Sequence, residues 1–537
     1  MSVDTVRRVL RGGSVVTRDG PVRADVAIDG DRITHVGTGD ARSDGQVVDA
    51  TDRLVLPGFV DAHSHADGLL ADPAVQHALL RQGVTTVIAG QDGVSYPPGS
   101  GDYATEYFAA INGPHRAYRG GGVAAFLATC DGTSALNVGC LVPAGTVRHE
   151  VCGREQTPAT LDQRDRMAAL VARGMADGAL GLSTGLDYVP GIFQSADEIA
   201  ALCEPVARAG GVYVSHLRGG YEANAATGIA EMVEIAETAT TAAPPLPVHV
   251  SHFHADADIV LEQLDRLAAA GVDATFDAYP YTRGCSLLSM PLLPPELSVQ
   301  PVADVVRALT DPAARPRLRE ACATRAGLSP SLGPDWPGLI TLAHVTAPEY
   351  AWAHGLTLRE AGLRAGIDPI DLALDVLAAC RLEVSAVMAV RHPRSAAELA
   401  RIFAHPRHMG GSDGIFIGAH PHPRAFGTFA RFLRVYVREG GTWSWAEAVH
   451  HVSTAAAERF ALGRRGTVAV GAVADLVLVD PSTVGDTATY EDPRQAATGI
   501  DDVLVAGVPV LTGGELTRAL PGRGLRRSRP SQPQRRN

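Results

Sequence analysis

Between residues 57 and 465, short apolar runs alternate with longer stretches of helical periodicity. The runs are GFVDAHSH, GVTTVIAGQD, SALNVGCLVP, GALGLSTG, GVYVSHLRGG, PVHVSHFH, GVDATFDAYP, EVSAVMAV and RHMGGSD. Runs of this length bounded by Gly, Asp and Pro read as strands. The stretches between them, such as ATLDQRDRMAALVARGMADG and ADIVLEQLDRLAAAG, read as helices. In the second, Ile259, Val260, Leu264 and Leu267 fall along one face, and Gly271 follows as a C-cap. Strand–helix alternation predicts parallel βα units, and about eight of them predict a (β/α)8 barrel of the TIM type with insertions. One of the nine candidate strands must then lie outside the barrel; EVSAVMAV is the one assigned there. Residues 283–345 are Pro-rich, fit no βα unit and read as an insertion.

Both chain ends have a different texture. RVLRGGSVVT, RADVAIDGDRITHVG and GQVVDATDRLVLPG near the start, and RGTVAVGAVADLVLVD and IDDVLVAGVPVLTGGEL near the finish, alternate apolar residues with turn formers. Residues 1–56 and 466–520 are therefore expected to pair into one small β-domain, with the barrel, 57–465, inserted between them. The Pro- and Arg-rich stretch 521–537 is expected to be a disordered basic tail.

Composition narrows the function. With 46% hydrophobic and 20% charged residues in 537, the chain can bury a sizeable core. A formal charge of −12 argues against a general nucleic-acid binder. No run approaches the ~20 apolar residues of a membrane span. The start, MSVDTVRRVLRGG, has no apolar core of signal-peptide length. The seven cysteines form no CxxC pair, and their odd number does not suit a disulfide framework; a reducing cytoplasm is the expected location. All 47 basic residues are arginine. That excludes a phosphate-loop lysine, a Schiff-base lysine and a metal bridge made from a carbamylated lysine.

The strongest chemical signal is Asp61-Ala62-His63-Ser64-His65. His63 and His65 are two apart on a strand end and point to one face. Two neutral imidazoles on one face suit zinc or a similar divalent ion, and equally suit two ordinary hydrogen-bonded histidines. Other strand ends shift that balance toward a metal. His216 closes VYVSH, His252 closes VHVSH, Asp92 closes TTVIAGQD and Asp413 closes HMGGSD. In one barrel these six side chains would meet at the C-terminal rim. His254 shares the face of His252, while His249 points away and reads as structural. His420 and His422 sit in a Gly-rich loop and read as loop polar residues.

In these motifs the sequence resembles the amidohydrolase superfamily, and within it the N-acyl-D-amino-acid deacylases (D-aminoacylases). The matching segments are LPGFVDAHSHAD, QGVTTVIAGQDGVS, GALGLSTGLDYVPG, YVSHLRGG, DAYPYTRG, HPRHMGGSDG and HPHPRAFGTFARFLRVYVREGG, in that order. The resemblance implies a metal-dependent (β/α)8 barrel with a small β-sandwich built from both chain ends. It implies hydrolysis of the amide bond of a small N-acyl amino acid, with no nucleic-acid or membrane partner. By resemblance, His63 and His65 belong to a weaker metal position, and His216 and His252 to a tight one. Asp413 is then the catalytic aspartate, Arg424 the arginine that grips the substrate carboxylate, and Tyr188 and Tyr281 substrate-contacting tyrosines. Zinc is the implied ion, with one tight site and a weak second.

The sequence departs from the family pattern in four places. Asp92 in GQDG stands where the family has a cysteine ligand. His254 replaces a lysine that helps hold the substrate carboxylate, and is expected to be partly charged near neutral pH. Ala144 in PAGTVR replaces a histidine, and HLRGG lacks the acidic residues that often follow the fifth-strand histidine. Two other readings share the site residues: an amidohydrolase acting on a cyclic amide, such as a hydantoinase or a dihydroorotase-like enzyme, and a non-catalytic scaffold. GLDYVPG together with HPRAFGTF favours the deacylase.

Overall fold

The computed structural model describes residues 7–39, 45–241 and 243–527. Eight strands form a closed parallel barrel: β1 (Phe59–Asp61), β2 (Val84–Ala89), β3 (Asn137–Cys140), β4 (Gly181–Gly185), β5 (Val212–His216), β6 (Val248–Val250), β7 (Ala274–Ala278) and β8 (His408–Gly410). β1, β2 and β3 pair in order, and Val142–Pro143 carries β3 onward against β4. From β4 to β8 each strand then pairs with the next. The barrel closes at β8 and β1, where Ala62 N donates to Gly410 O at 3.1 Å and Asp413 N to His63 O at 2.7 Å. All residues of these eight strands are buried, as parallel strands covered on both faces require.

The helices pack outside by one apolar stripe. Ala257–Ala269 buries Val260, Leu264 and Leu267, with Ile259 at the stripe's edge, and Gly271 follows at φ 73°. The strand at EVSAVMAV, Val384–Met388, lies outside the barrel. It is the centre of a three-stranded antiparallel sheet between Gly284–Leu287 and Ile340–Val345. Helices Val302–Thr310, Arg315–Leu328, Leu358–Ala365 and Pro369–Ala379 complete this module around a core of its own. The segment that departs from βα alternation thus runs to Met388 and not only to 345. Its last part is regular helix and strand, which composition alone does not separate from a βα unit.

Strands from both chain ends share a seven-stranded sheet, in which Leu476–Val479 pairs antiparallel with Leu54–Pro57. A four-stranded sheet from the N-terminal part packs on it through Leu10, Val26, Ile28 and Leu476, giving a β-sandwich. All seven cysteines are buried and free. Among the described residues no helix is long and apolar enough to cross a membrane.

The expectation of a disordered tail fails for 521–527, while residues 528–537 lie outside the described residues. The chain continues against the edge of β3, and Leu525 joins the cluster of Val60, Ile88, Leu180 and Val212 at the barrel strands. Gly522 N donates to Ser134 O at 3.0 Å, Leu525 N to Val138 O at 2.7 Å and Arg527 N to Gly178 O at 3.1 Å. Gly522 and Gly524 make the close approach possible, since a Cβ there would lie 2.1 Å from Leu136 O and 2.4 Å from Leu127 O respectively. The arginine-rich composition concealed one buried anchor, Leu525. Leu525→Ala is expected to cost about 2 kcal/mol of stability, read by chemical denaturation; an unchanged midpoint would show that the segment does not anchor.

Candidate metal centre

The strand ends bring His63, His65, Asp92, His216, His252 and Asp413 together at one rim of the barrel. All six are buried. Asp92 is at the centre. Its Oδ1 lies 3.5 Å from His63 Nε2 and 3.6 Å from His252 Nε2. Its Oδ2 lies 3.6 Å from His65 Nε2 and 3.9 Å from His216 Nδ1. His65 Nε2 also meets Asp413 Oδ1 at 3.2 Å. Two groups, His63–Asp92–His252 and His63–His65–Asp413, each hold ligand atoms within 4.8 Å of one another. Both ring nitrogens of His63, and Asp92 Oδ1, are buried without a hydrogen-bond partner. Buried polar atoms are rarely left so, and a divalent cation would satisfy His63 Nε2 and Asp92 Oδ1, while His63 Nδ1 faces Asp277; imidazole and carboxylate are suitable donors. These residues fit a metal.

Three of the six leave their strands through left-handed backbone: Asp92 (φ 54°), His252 (φ 30°) and Asp413 (φ 48°). That conformation is uncommon for non-glycine residues and is held only where surroundings fix it. Here they do. Gly90 N donates to Asp67 Oδ2 at 2.8 Å and Gln91 Nε2 to Ala62 O at 2.8 Å, pinning the loop that presents Asp92. Gly185 lies against it, where a Cβ would sit 2.1 Å from Asp92 O. His252 N donates to Asp277 Oδ1 at 3.0 Å.

Electrostatics divides the cluster. Burial favours neutral forms, but the opposite charges win. Against burial, the carboxylates Asp413 and Asp92 raise the His65 pKa to about 10. Against the same penalty, Arg424, His252 and His65 hold Asp413 at about 2, and the surrounding histidines keep Asp92 well below the usual carboxylate range. His254 goes the other way. Burial and the nearby Arg394, His252 and Arg424 push its pKa well below 6.5. It is therefore neutral near pH 7, contrary to the partial charge expected, and cannot do the work of a lysine.

The cluster opens into a cavity of about 780 Å³ lined by Tyr188, His216, His252, His254, Asp413 and Arg424, among others. Tyr188 Oη and Ser286 Oγ share a hydrogen bond of 2.8 Å, joining barrel to inserted module. Arg424, fully buried at the start of helix Arg424–Arg431, reaches Asp413 Oδ2 with Nη1 at 2.8 Å and Cys285 O with Nη2 at 3.1 Å. Tyr281 is not on the cavity. Its ring is turned toward His422, Tyr490 and Arg431, and Tyr279, two residues earlier, lines the cavity instead with Arg424 over its ring at 4.5 Å.

Three supporting residues, Asn112, Asp187 and Asp277, are not singled out by sequence. Asp277, at the end of β7, places Oδ2 3.5 Å from His63 Nδ1 and 2.9 Å from His249 Nε2. Asn112 Oδ1 meets His65 Nδ1 at 3.0 Å, and Asp187 Oδ2 meets His216 Nε2 at 3.1 Å. Asp187 thereby supplies a carboxylate beside the fifth-strand histidine from the preceding βα loop. Asp61 accepts from His63 N and from Ser412, tying β1 to β8; burial lifts its pKa to about 7. A carboxylate near the end of the β7 run is a readable signal of the same kind as Asp92 and Asp413 at their strand ends. His249 is bonded to Asp277 and Thr275, a structural role. His420 bonds Tyr490 O, while His422 accepts from Arg424 N at 3.0 Å and so positions the arginine.

A closed parallel barrel with a buried histidine–carboxylate cluster at one strand-end rim defines the metal-hydrolase type of (β/α)8 protein. The profile of the amidohydrolase family matches residues 46–337 and 355–511, and the chain belongs to that family. It is 30% identical over 536 residues to a D-aminoacylase of Alcaligenes xylosoxydans xylosoxydans, covering 97% of each chain. It is 32% identical over 519 residues to an N-acyl-D-aspartate deacylase of the same organism, covering 94% of this chain and 92% of that one. Among solved structures, it superposes with TM-score 0.79 on N-acyl-D-glutamate deacylase of Bordetella bronchiseptica, complexed with zinc and a phosphonate inhibitor; identity is 28%, and 97% of this chain and 100% of that one are covered.

Residues that orient metal-binding histidines commonly contribute 10–100-fold to metal affinity. Asp277→Asn is expected to weaken retention of a divalent ion by about that factor. Metal analysis after dialysis against graded chelator reads it, and equal retention would assign Asp277 to folding alone.

Proposed function

We propose that this chain hydrolyses the amide bond of N-acyl-D-amino acids, giving a carboxylate and a free D-amino acid. The observation that carries the reading is one cavity holding both a cluster suited to a divalent ion and a buried arginine in contact with Asp413. The relatives' activity on N-acyl-D-amino compounds supports it.

In this reading Asp92, His216 and His252 hold one ion tightly, zinc by preference, and His63 and His65 offer a weaker second position. Asp92 stands between the two positions, a role no lysine is available to fill. When bound, a divalent ion supplies Lewis acidity to the scissile carbonyl and acidifies water at the site. Asp413, ionised across the neutral range, accepts the water's proton at a carboxylate oxygen and returns it to the leaving nitrogen. Arg424 offers a planar fork to the substrate α-carboxylate. As it turns from Asp413 to the substrate, Asp413 loses part of its counter-charge and becomes a stronger base. Tyr188 and Tyr279 wall the acyl amino acid, and His254 contributes a neutral hydrogen-bonding group.

The test is hydrolysis of matched N-acetyl-D- and N-acetyl-L-amino acids by zinc-supplemented protein. D-selective turnover is expected, falling by about 10²–10⁴ in Asp413→Ala. Turnover surviving in that variant removes Asp413 from the chemistry; no turnover of either series by folded, metal-loaded protein removes the deacylase reading. Arg424→Gln is expected to raise KM about 10-fold or more, the loss of a charge-assisted pair. An unchanged KM would place the α-carboxylate elsewhere.

A further inference from the structure

A second guanidinium faces the cavity. Arg394 follows the strand Val384–Met388, where the inserted module returns to the barrel, and lines the same wall as Tyr279, His254 and Arg424. The other cavity arginines are engaged or exposed: Arg424 is paired with Asp413 at 2.8 Å, Arg283 lies 4.0 Å over the Tyr490 ring, and Arg325 is at the exposed rim. Among the described residues Arg394 has no carboxylate within 4.0 Å. Its side chain makes a single long hydrogen bond, Nη2 to Tyr281 O at 3.5 Å, and its Nε is sealed from solvent without a partner.

Three carboxylates act on Arg394 from beyond ion-pair distance: Glu222, Asp256 and Glu398. Glu222 accepts from Ser331 Oγ at 3.0 Å, and Glu398 accepts from Ser395 N at 2.7 Å as part of a helix cap. Of these, Glu222 also lines the cavity, but it lies beyond ion-pair distance of Arg394, whose nearest ring neighbours there are Tyr279 and His254. The His254 ring lies 4.3 Å from that of Tyr279, and His254 Nε2 also lacks a partner. Burial disfavours the charge on Arg394 and lowers its pKa. A half-buried cation with unused donors is stabilised by an anionic ligand that meets it in a planar fork.

The two arginines occupy different places relative to the reacting bond. An α-carboxylate is attached one carbon from the scissile nitrogen and must lie beside the group that returns the proton. Arg424 touches that group, Asp413; Arg394 does not. We infer that Arg394 is a specificity-determining residue that receives a second carboxylate, on the substrate's amino-acid side chain, while Arg424 holds the α-carboxylate. The preferred substrates are then N-acyl derivatives of acidic amino acids. This rests on the deacylase reading above, and the test separates the two.

N-acetyl-D-glutamate and N-acetyl-D-glutamine are nearly isosteric and differ in charge. The intact protein is expected to show at least a tenfold higher kcat/KM for the glutamate compound, carried by KM. In Arg394→Gln that ratio should fall at least tenfold, and in Arg394→Lys it should be largely restored. A ratio near one in the intact protein, or one unmoved by Arg394→Gln while both substrates slow together, overturns the assignment. Calorimetric titration with glutarate and with its monoamide gives a readout free of turnover. Preference for glutarate should be present in the intact protein and lost in Arg394→Gln. If no N-acyl amino acid is hydrolysed yet that preference behaves as stated, the deacylase reading falls and the anion site stands; if hydrolysis is seen and the preference is absent, the reverse holds.

Discussion

Asp92 places one carboxylate within 3.9 Å of four imidazoles contributed by three other strand ends. Such a concentration of charge and donors is costly to bury unless every group is met by an opposite charge, a hydrogen bond or a cation. Much of the surrounding structure meets that demand. Asp277, Asn112 and Asp187 take the far nitrogens of His63, His65 and His216. Arg424 balances Asp413, and three left-handed residues turn the strand ends inward. What stays without a hydrogen-bond partner on the inner side, chiefly His63 Nε2 and Asp92 Oδ1, suits a divalent ion.

The carboxylate at Asp92 is also one of the four places where the sequence departs from the pattern of the family it resembles. A carboxylate has two oxygens, and each faces a different pair of imidazoles. A single side chain can therefore span the cluster in a chain with no lysine to carbamylate. The departure at His254 concerns substrate rather than metal. His254 is neutral, so positive charge on that wall comes from arginines of other segments. The inserted module supplies Ser286, Met290 and Met388 to the cavity, so this part of the wall is built by a segment outside the barrel repeat.

Much of the barrel was legible because its strands are buried on both faces and separated by amphipathic helices, two patterns that survive in one dimension. That one of the nine candidate strands lies outside the barrel was legible by count; that it is EVSAVMAV is set by its antiparallel partners. The inserted module's far boundary was not, because Pro369–Ala379 and Val384–Met388 look like another βα unit until their antiparallel partners are known. The ordered course of 521–527 was hidden by its composition. A few backbone hydrogen bonds and one buried leucine hold it, and no periodicity records them.

By itself the sequence determined which side chains stand at the strand ends, and so which groups can meet on the axis. His63, His65, Asp92, His216, His252 and Asp413 were readable for that reason: strand alternation and barrel symmetry convert a position in the chain into a position at the rim. Only the tertiary structure decided that Tyr279 and not Tyr281 faces the cavity, that His254 is neutral, and that Arg394 comes to the same wall. Those outcomes depend on contacts between segments far apart in sequence. The orientation of a ring, the charge of an imidazole and the lack of a counter-ion for a guanidinium are set by neighbours that no local pattern names.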